Sequence, residues 1–194
     1  LRLCVSGAAP LPPKVIGAFE AAFKVPLLEG YGLTEASPIV SINPLGEGMR
    51  RPGTVGKPLP GIEVKVVDDA GAPLPVDTPG ELLVRGPNVM QGYLNRPEDT
   101  AKTIKDGWLY TGDLGFIRDG QLFVSGRIKE MIIKRGKNIY PHDVERIAAT
   151  IPGIRLGSCA AFAVGNAETG TEDLVLVCES TLADPQALKQ LPKE

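Results

Sequence analysis

Short runs of β-forming residues, separated by glycine and proline, constrain the fold of this 194-residue chain most strongly. They begin at about Arg51, and the glycines and prolines between them interrupt any longer element. The runs lie at residues 63–67, 81–85, 114–117 and 121–125. This pattern predicts a sheet or a small distorted barrel. Residues 68–71 and 118–120 have the composition of hairpin turns, since their glycines accept the positive φ that such turns require.

The region before Arg51 predicts a different architecture, part of an open α/β sheet. Residues 1–5 predict a buried strand, and residues 12–24 have apolar side chains at helical spacing. Prolines at the start of that segment suit the first turn of a helix, where a missing N–H costs little. A second strand is predicted at residues 26–29, before a turn that contains Tyr31. Strand, helix and strand in this order favour ligand loops at the carboxyl edge of a sheet.

The last third of the chain predicts a small α+β unit. A strand is expected at residues 130–134, a turn at Gly136 and a helix at residues 141–150. Two further strands, at residues 157–164 and 174–180, precede a final helix at residues 185–191. Between the β-rich runs, residues 97–102 allow at most a short helix.

The charge balance argues against a nucleic-acid binder. The net charge is −2 and the pI is about 5.6, whereas binding to a phosphate backbone needs clustered lysine and arginine. One local cluster, at residues 127–137, has five basic residues and one acid, Glu130. An ordinary solvated face explains such a cluster as well as a binding role does.

The cysteines and the apolar runs favour a protein of the reducing cytoplasm. Cys4, Cys159 and Cys178 lie in apolar runs without metal-like spacing, so we expect small buried thiols and no zinc. No run approaches the ~18 apolar residues of a membrane span, and no signal-peptide pattern is present. The chain opens on Leu1, inside a strand-like segment, so we expect a piece of a longer polypeptide.

Three short motifs together point to a nucleotide ligand. GYGLTEAS, at residues 30–37, places an aromatic ring, a hydroxyl and a carboxylate close together, which suits adenine, phosphate and magnesium. YTGD, at residues 110–113, offers an acid that can pair with a ribose diol. GRIKE, at residues 126–130, adds a guanidinium beside that sugar and a charged residue where a mobile segment could begin.

Four residues of these motifs also have a plainer interpretation. Tyr31 alone is well explained as a half-buried tyrosine between glycines. Glu35 could be a surface acid or a charge at a helix N-terminus, and Thr34 a capping hydroxyl. Asp113 could belong to a simple Thr-Gly-Asp turn. The combination of the motifs favours the nucleotide.

The motifs occur in the order found in adenylate-forming enzymes, the superfamily of acyl-CoA synthetases, acyl-AMP ligases, luciferases and peptide-synthetase adenylation domains. Four more fall in register: SGAAP at 6–10, GELLVRG at 80–86, GY at 92–93 and RGKNIYP at 135–141. Almost the whole chain resembles the C-terminal part of such an enzyme. The resemblance implies that residues 1–128 belong to the large AMP-binding domain, with an α/β portion (1–50) and a β-rich subdomain (51–128). Residues 129–194 would form a hinge and a truncated C-terminal lid.

The resemblance also implies an adenine site. Ala8 and Ala9 resemble the small residues whose backbone lines the edge of the adenine. Tyr31, followed by Gly32, resembles the tyrosine whose ring stacks on the base, a kind of contact worth about 1–3 kcal/mol in nucleobase recognition.

The remaining site residues are assigned by the same resemblance. Thr34 would contact phosphate, and Glu35 would supply a carboxylate to Mg²⁺, which binds one or two carboxylates together with substrate phosphates. Asp113 would accept hydrogen bonds from the ribose hydroxyls. Arg127 would bond the same sugar or the phosphate through its fixed fork of donors.

Lys129 lies two positions after the motif arginine, where the family has the hinge of its lid. Gly136 would belong to a loop that lines a tunnel for the thiol acceptor, since a residue without a Cβ allows close backbone approach.

The activity implied by the resemblance is a two-step ligation. A carboxylic acid, fatty or otherwise hydrophobic, would attack the α-phosphate of ATP to form acyl-AMP, and a thiol would then take the acyl group. The segment at residues 132–145 resembles fatty acyl-AMP ligases as much as CoA ligases, so the acceptor is either CoA or the phosphopantetheine of a carrier protein.

Other expectations concern the extent of the chain. The phosphate-gripping loop is expected upstream of Leu1, and Lys189 and Lys193 lack the Gly-Lys context of the family's lid lysine. We therefore expect the parent protein, and not this chain alone, to be active in adenylation. A non-catalytic nucleotide-binding or interaction module is the alternative from another class.

Overall fold

A computed structural model describes residues 1–8, 11–46, 50–51, 53–134, 137–166 and 171–182. The chain divides into two compact units, Leu1–Ile128 and Lys129–Glu194. Most of the described secondary structure is β-strand, with few helices. The mixed α/β class predicted from the sequence is therefore confirmed.

The first sheet of the larger unit has four strands in the order β1-β2-β3-β4. They are β1 (Cys4–Ser6), β2 (Leu27–Gly32), β3 (Ile39–Ile42) and β4 (Lys57–Pro58), and helix α1 (Pro13–Phe23) connects the first two. β1 and β2 are parallel, and the other pairs are antiparallel. The helix starts at a proline, as predicted, and ends at Lys24 in the left-handed conformation.

Two predictions for this region need correction. The strand predicted at residues 1–5 begins only at Cys4, and Leu1 is 93% exposed, because no described strand pairs with β1 on its other side. The turn predicted at Tyr31 is instead the end of β2, where Tyr31 pairs with Ser41 of β3. The sequence analysis did not predict β3, and without that partner it ended β2 too early.

The second sheet of the larger unit has five antiparallel strands. It contains β5 (Glu63–Val67), β6 (Gly80–Arg85), β7 (Ile104–Lys105), β8 (Trp108–Arg118) and β9 (Gln121–Arg127), with helix α2 (Pro97–Thr103) before β7. The order is β5-β6-β8-β7, and β9 also pairs with β8. β8 begins at Trp108 rather than at Leu114, so the YTGD motif lies within a strand.

The core of the larger unit joins the two sheets. Val40 from β3 and Ala36 pack with Val84 of β6 and Leu109 of β8, all fully buried. A second cluster contains Val66, Leu82 and Leu122, and Tyr31 packs against both clusters. Burial of each large side chain contributes on the order of 1.5–3 kcal/mol, so these clusters fix β2 relative to β8.

The described residues of the smaller unit form two antiparallel strand pairs and one helix. They are β10 (Ile132–Lys134) with β11 (Lys137–Ile139), helix α3 (Pro141–Ala148), and β12 (Ile154–Asn166) with β13 (Thr171–Ser180). β10 begins two residues later than predicted, because Ile128–Glu130 forms a 3₁₀ turn. The turn predicted at Gly136 and the helix predicted at residues 185–191 lie outside the described residues. Within the part of the chain that is described, no helix has the length and apolar character needed to cross a bilayer.

Candidate functional site

The centre of the candidate site is a hydrogen-bonded chain of Tyr31, Asp113 and Arg127. The Tyr31 hydroxyl donates to Asp113 Oδ2 at 2.7 Å, and Arg127 Nε lies 3.1 Å from Asp113 Oδ1. The Asp113 side chain is 7% exposed, whereas that of Arg127 is 63% exposed. The carboxylate is therefore fixed in the protein, and the guanidinium is open to a ligand.

The strands of the second sheet position this carboxylate. Asp113 and Arg127 are direct partners in the ladder between β8 and β9. The Asp113 N–H donates to Thr111 Oγ1 at 3.0 Å, and the Thr111 hydroxyl donates to the Leu82 carbonyl at 2.7 Å. Gly112 between them has a φ of 71°, a conformation that glycine adopts without strain. The YTGD sequence therefore makes a local distortion in a strand rather than a turn.

Burial sets the electrostatics of the pair. Desolvation raises the pKa of Asp113, while the hydrogen bond from Tyr31 and the charge of Arg127 oppose that rise. Burial also raises the pKa of the Tyr31 hydroxyl, and the adjacent Asp113 carboxylate adds to the effect. Tyr31 therefore acts as a permanent hydrogen-bond donor at physiological pH.

Glu35 is held by a second tyrosine. The Tyr93 hydroxyl donates to Glu35 Oε1 at 2.7 Å, and this bond raises the pKa of Tyr93. The Glu35 carbonyl accepts from the Met90 N–H at 2.8 Å, which anchors the backbone of this residue. Thr34 begins the same 3₁₀ turn, Thr34–Ala36, with an exposed side chain.

A cleft opens at the carboxyl ends of β1 and β2, where the sequence predicts ligand loops. Its volume is about 240 Å³. Three of the predicted site residues line it, Ala8, Tyr31 and Gly32. Its other lining residues are Val5, Ser6, Gly7, Gly30, Pro38, Ile39 and Ile42. Since Tyr31 both lines the cleft and bonds to Asp113, the adenine and ribose residues of the prediction are linked through one side chain.

Gly32 is required by the packing of this cleft. A Cβ on Gly32 would lie 1.7 Å from the Pro38 carbonyl oxygen, far inside contact distance. Ala8 has a φ of 71°, so its backbone is turned in a way that few residues with side chains adopt.

Three further predicted residues are not part of the described larger unit. Ala9 and Gly136 lie outside the described residues. Lys129 belongs to the smaller unit, in the 3₁₀ turn Ile128–Glu130, and its side chain is exposed.

The sequence analysis missed two residues of the site. Tyr93 was noted only as part of a motif, and Thr111 only as part of YTGD, without a role for either side chain. Their hydroxyls contact Glu35 and the backbone of Asp113, which lie 58 and two residues away in sequence. The long-range contact has no local pattern, so only the fold reveals it.

Comparison with known proteins finds adenylate-forming enzymes, the superfamily that the sequence motifs resemble. A model of the AMP-binding enzyme family matches residues 1–94. A long-chain-fatty-acid–CoA ligase of Bacillus subtilis is 37% identical, over 100% of this chain and 38% of its own length. A sulfoacetate–CoA ligase of Cupriavidus necator is 38% identical, over 97% of this chain and 37% of its own.

Solved structures agree with the sequence relatives. ATP-bound MatB from Rhodopseudomonas palustris superimposes with a TM-score of 0.84 at 35% identity, covering 98% of this chain and 39% of that chain. The anthranilate CoA ligase AuaEII, in complex with anthranoyl-AMP, gives a TM-score of 0.84 at 29% identity, covering 98% and 37%.

Residues 1–94 belong to the AMP-binding enzyme family, and the chain as a whole is similar to acid–CoA ligases and other adenylate-forming enzymes. Its relatives include CoA ligases for several different acids. The chain spans little more than a third of the length of these relatives, 38% of the Bacillus ligase and 37% of the Cupriavidus ligase.

Proposed function

We propose that this chain is part of an ATP-dependent acid–thiol ligase that activates a fatty acid as acyl-AMP and transfers the acyl group to CoA. The observation that carries the proposal is the bonded group of Tyr31, Asp113 and Arg127 beside the cleft. It combines an aromatic ring, a fixed carboxylate and an open guanidinium, which are the groups that a nucleoside phosphate needs.

In this proposal, the adenosine half of ATP occupies the cleft. The Tyr31 ring stacks on the base, and the backbone of Ala8, Ala9 and Gly32 lines the edge of the base. Asp113 accepts hydrogen bonds from the ribose hydroxyls, and its carboxylate has enough lone pairs to keep the Tyr31 bond as well. Arg127, being mostly exposed, turns from Asp113 toward the sugar or phosphate without a large loss of buried contact.

Glu35 is the residue that would bind Mg²⁺. Tyr93 occupies its Oε1, and no described residue bonds to its Oε2, so one oxygen is available. One carboxylate oxygen fits a Mg²⁺ ion that takes its other ligands from phosphate oxygens and water. The ion, when bound, neutralises phosphate charge. Thr34, on the same turn, donates its hydroxyl to a phosphate oxygen.

The reaction needs no nucleophilic side chain. An oxygen of the substrate carboxylate attacks the α-phosphorus of ATP, the bond to the β-phosphate oxygen breaks, and pyrophosphate leaves. The thiol sulfur then attacks the acyl carbon of acyl-AMP, AMP leaves, and the thiol proton passes to solvent. The residues of this chain contribute position and charge, so catalysis rests on alignment of the reactants.

The smaller unit has its own proposed roles. We keep Lys129 as the hinge and Gly136 as part of the loop that lines the thiol tunnel. The division into residues 1–50, 51–128 and 129–194 belongs to the same proposal. The three cysteines are free thiols in the structure, which fits the cytoplasmic location in this proposal.

The acid and the acceptor are the finer parts of the proposal. The Bacillus relative is named for long-chain fatty acids, and others for oxalate and sulfoacetate. A second acceptor is supported by the McyG adenylation–carrier structure with phenylalanyl-adenylate, which gives a TM-score of 0.77 at 27% identity and covers 96% of this chain and 31% of that chain. The alternative function is therefore a ligase that loads the phosphopantetheine of a carrier protein.

The test is an assay of the gene product that carries this sequence. It is incubated with ATP, Mg²⁺ and CoA, and with hexadecanoic acid, oxalate or sulfoacetate in separate reactions, and both AMP and the acyl thioester are measured. We expect AMP and thioester with hexadecanoic acid. Asp113→Ala should lose most of this activity, whereas Asp119→Ala, a change in an exposed hairpin turn, should retain it.

Each other result has a definite meaning. Product with oxalate or sulfoacetate alone overturns the fatty-acid assignment but keeps the ligase. Acyl transfer to a carrier protein and not to CoA establishes the alternative acceptor. Absence of AMP formation with every acid, from folded protein, overturns the ligase proposal.

A further inference from the structure

Two cysteines of the smaller unit face each other across a β ladder. Cys159 on β12 and Cys178 on β13 are direct partners in the antiparallel register. Both are free thiols of intermediate burial. We propose that Cys159 and Cys178 form a modification site, a dithiol that a low-molecular-weight disulfide such as oxidised glutathione converts into an intramolecular disulfide.

The ladder already provides the geometry of such a bridge. Directly opposed residues of antiparallel strands have Cα atoms about 4.5 or 5.5 Å apart, depending on the type of pair. A disulfide accepts Cα separations of about 4.4–6.8 Å, so both types fall within its range. The bond can therefore form by rotation of the two side chains, without a change in the pairing of β12 and β13.

The pair stands at a distinctive place in the ladder. Pairing is continuous from Cys159–Cys178 toward the hairpin end, while the register shifts between Ile154 and Cys159. Gly157, within the shift, has a φ of 78°. The cysteines are thus the first regular pair after the irregularity. A disulfide there would link β12 and β13 covalently beside the register shift.

A small disulfide reagent can reach the pair. Both cysteines are only partly buried, and Leu176, two positions before Cys178 and therefore on the same face of β13, is exposed. Burial and the neighbouring Cys178 raise the pKa of the Cys159 thiol to about 11, which keeps Cys159 protonated. In this proposal, Cys178 makes the first attack.

The exchange is balanced in two steps. The Cys178 thiolate attacks one sulfur of oxidised glutathione, the glutathione S–S bond breaks, and one glutathione thiolate leaves. Cys159 then loses its proton to solvent and attacks the Cys178 sulfur, which releases the second glutathione. The two cysteine sulfurs are oxidised, oxidised glutathione is reduced by the same two electrons, and the two thiol protons end on the glutathione molecules or in solvent.

The test uses the 194-residue chain and its third cysteine as an internal control. Cys4 lies on β1 of the larger unit. The wild type, Cys4→Ser, Cys159→Ser and Cys178→Ser chains are incubated with oxidised glutathione, followed by thiol counting and intact mass. In the wild type we expect two thiols to be lost, with loss of two hydrogen atoms. Cys4→Ser should form the same bridge. Cys159→Ser and Cys178→Ser should form none, and Cys159→Ser, which keeps the attacking Cys178, should instead carry a glutathione adduct.

Peptide mapping of the wild type does not depend on how the variants fold. After proteolysis without reduction, the peptide of Cys159 should be joined to that of Cys178, and a thiol reductant should release both. In chain unfolded with denaturant, bridges that include Cys4 should appear as well. Stable glutathione adducts without the bridge in folded wild type, or equal bridging to Cys4 before unfolding, would overturn the proposal.

Discussion

Asp113 is a buried carboxylate whose charged form is stabilised by Tyr31 and by one exposed arginine. Burial raises its pKa, and the hydrogen bond from Tyr31 and the charge of Arg127 oppose that rise. In the proposed adenosine site the carboxylate form accepts the ribose hydrogen bonds, so we expect binding to be lost as the pH falls through this pKa. Because the pKa is raised, the loss occurs at a higher pH than for an ordinary aspartate.

Arg127→Ala should raise the pH at which adenosine binding is lost on acidification. Removing the positive charge lets the pKa of Asp113 rise more, so the carboxylate is lost earlier on acidification. The measurement is the affinity for adenosine against pH, since adenosine has no phosphate to titrate. Arg118→Ala, which removes an exposed arginine from the end of β8, the strand that carries Asp113, is the control. If both variants keep the wild-type profile, Asp113 does not control binding.

Tyr93 gives a second prediction at this scale. Its hydroxyl holds one oxygen of Glu35, so Tyr93→Phe should leave the carboxylate less well oriented for Mg²⁺. We expect ATP affinity in the presence of Mg²⁺ to fall several-fold, by about 1 kcal/mol for one hydrogen bond, with little change in its absence. Tyr110→Phe is the matched control, and Glu35→Gln should remove the effect of Mg²⁺. An equal loss with and without Mg²⁺ would contradict the proposed role.

The sequence could propose individual site residues but not their partners. Tyr31, Glu35 and Asp113 stand in recognisable motifs, whose order carries the information. The bond from Tyr31 to Asp113 spans 82 positions, and that from Tyr93 to Glu35 spans 58. Such contacts depend on how the two sheets pack against each other. A local sequence pattern does not predict that packing.

At the scale of elements, β2 depends on a glycine at its end. Gly32→Ala would place a Cβ against the Pro38 carbonyl, so the backbone of β2 or β3 must move. We expect a loss of about 1–3 kcal/mol of unfolding free energy, as in other overpacked sites. Denaturant unfolding measures it.

Gly17→Ala is the opposite case and serves as the control. Gly17 is exposed within helix α1, and a Cβ there has no neighbouring atom within 4 Å. Alanine should stabilise the helix by about 0.5–1 kcal/mol. Equal effects of the two substitutions would show that the close approach at Gly32 is not a constraint on the fold.

Elements were predictable where their signal is local. Asp119 and Gly120 form the loop between β8 and β9, both with positive φ, as the turn signal indicated. The helix at Pro13–Phe23 agrees with the predicted segment within one residue at each end. β3 was missed because it is only four residues long, and its pairing with β2 is what extends β2 past Glu29.

At the scale of the molecule, the two compact units meet in sequence between Ile128 and Lys129. If Lys129 is the hinge of the ligase, Lys129→Pro should restrict its backbone. In the gene product that carries this sequence, we expect pyrophosphate release to persist while thioester formation slows at least tenfold. Lys129→Ala, which keeps backbone freedom, should resemble the wild type. Equal loss of both steps in the proline variant would contradict a hinge role.

The family and the mixed α/β class were accessible from the sequence because seven motifs keep their order over almost the whole chain. The acid and the acceptor were not, since relatives of similar identity are named for fatty acids, oxalate and sulfoacetate. The motifs predict contacts with the nucleotide, and they carry no signal for the acid or the acceptor.

The central claim is that Tyr31, Asp113 and Arg127 form an adenosine site. Calorimetric titration of an acyl-sulfamoyl adenosine into the 194-residue chain tests it most directly, with Asp113→Ala and Asp119→Ala as variants. The account predicts binding to the wild type and to Asp119→Ala, and a loss of about tenfold to a hundredfold in Asp113→Ala, as expected for hydrogen bonds to a charged group. Binding of equal strength to all three folded proteins, or to none of them, would contradict it.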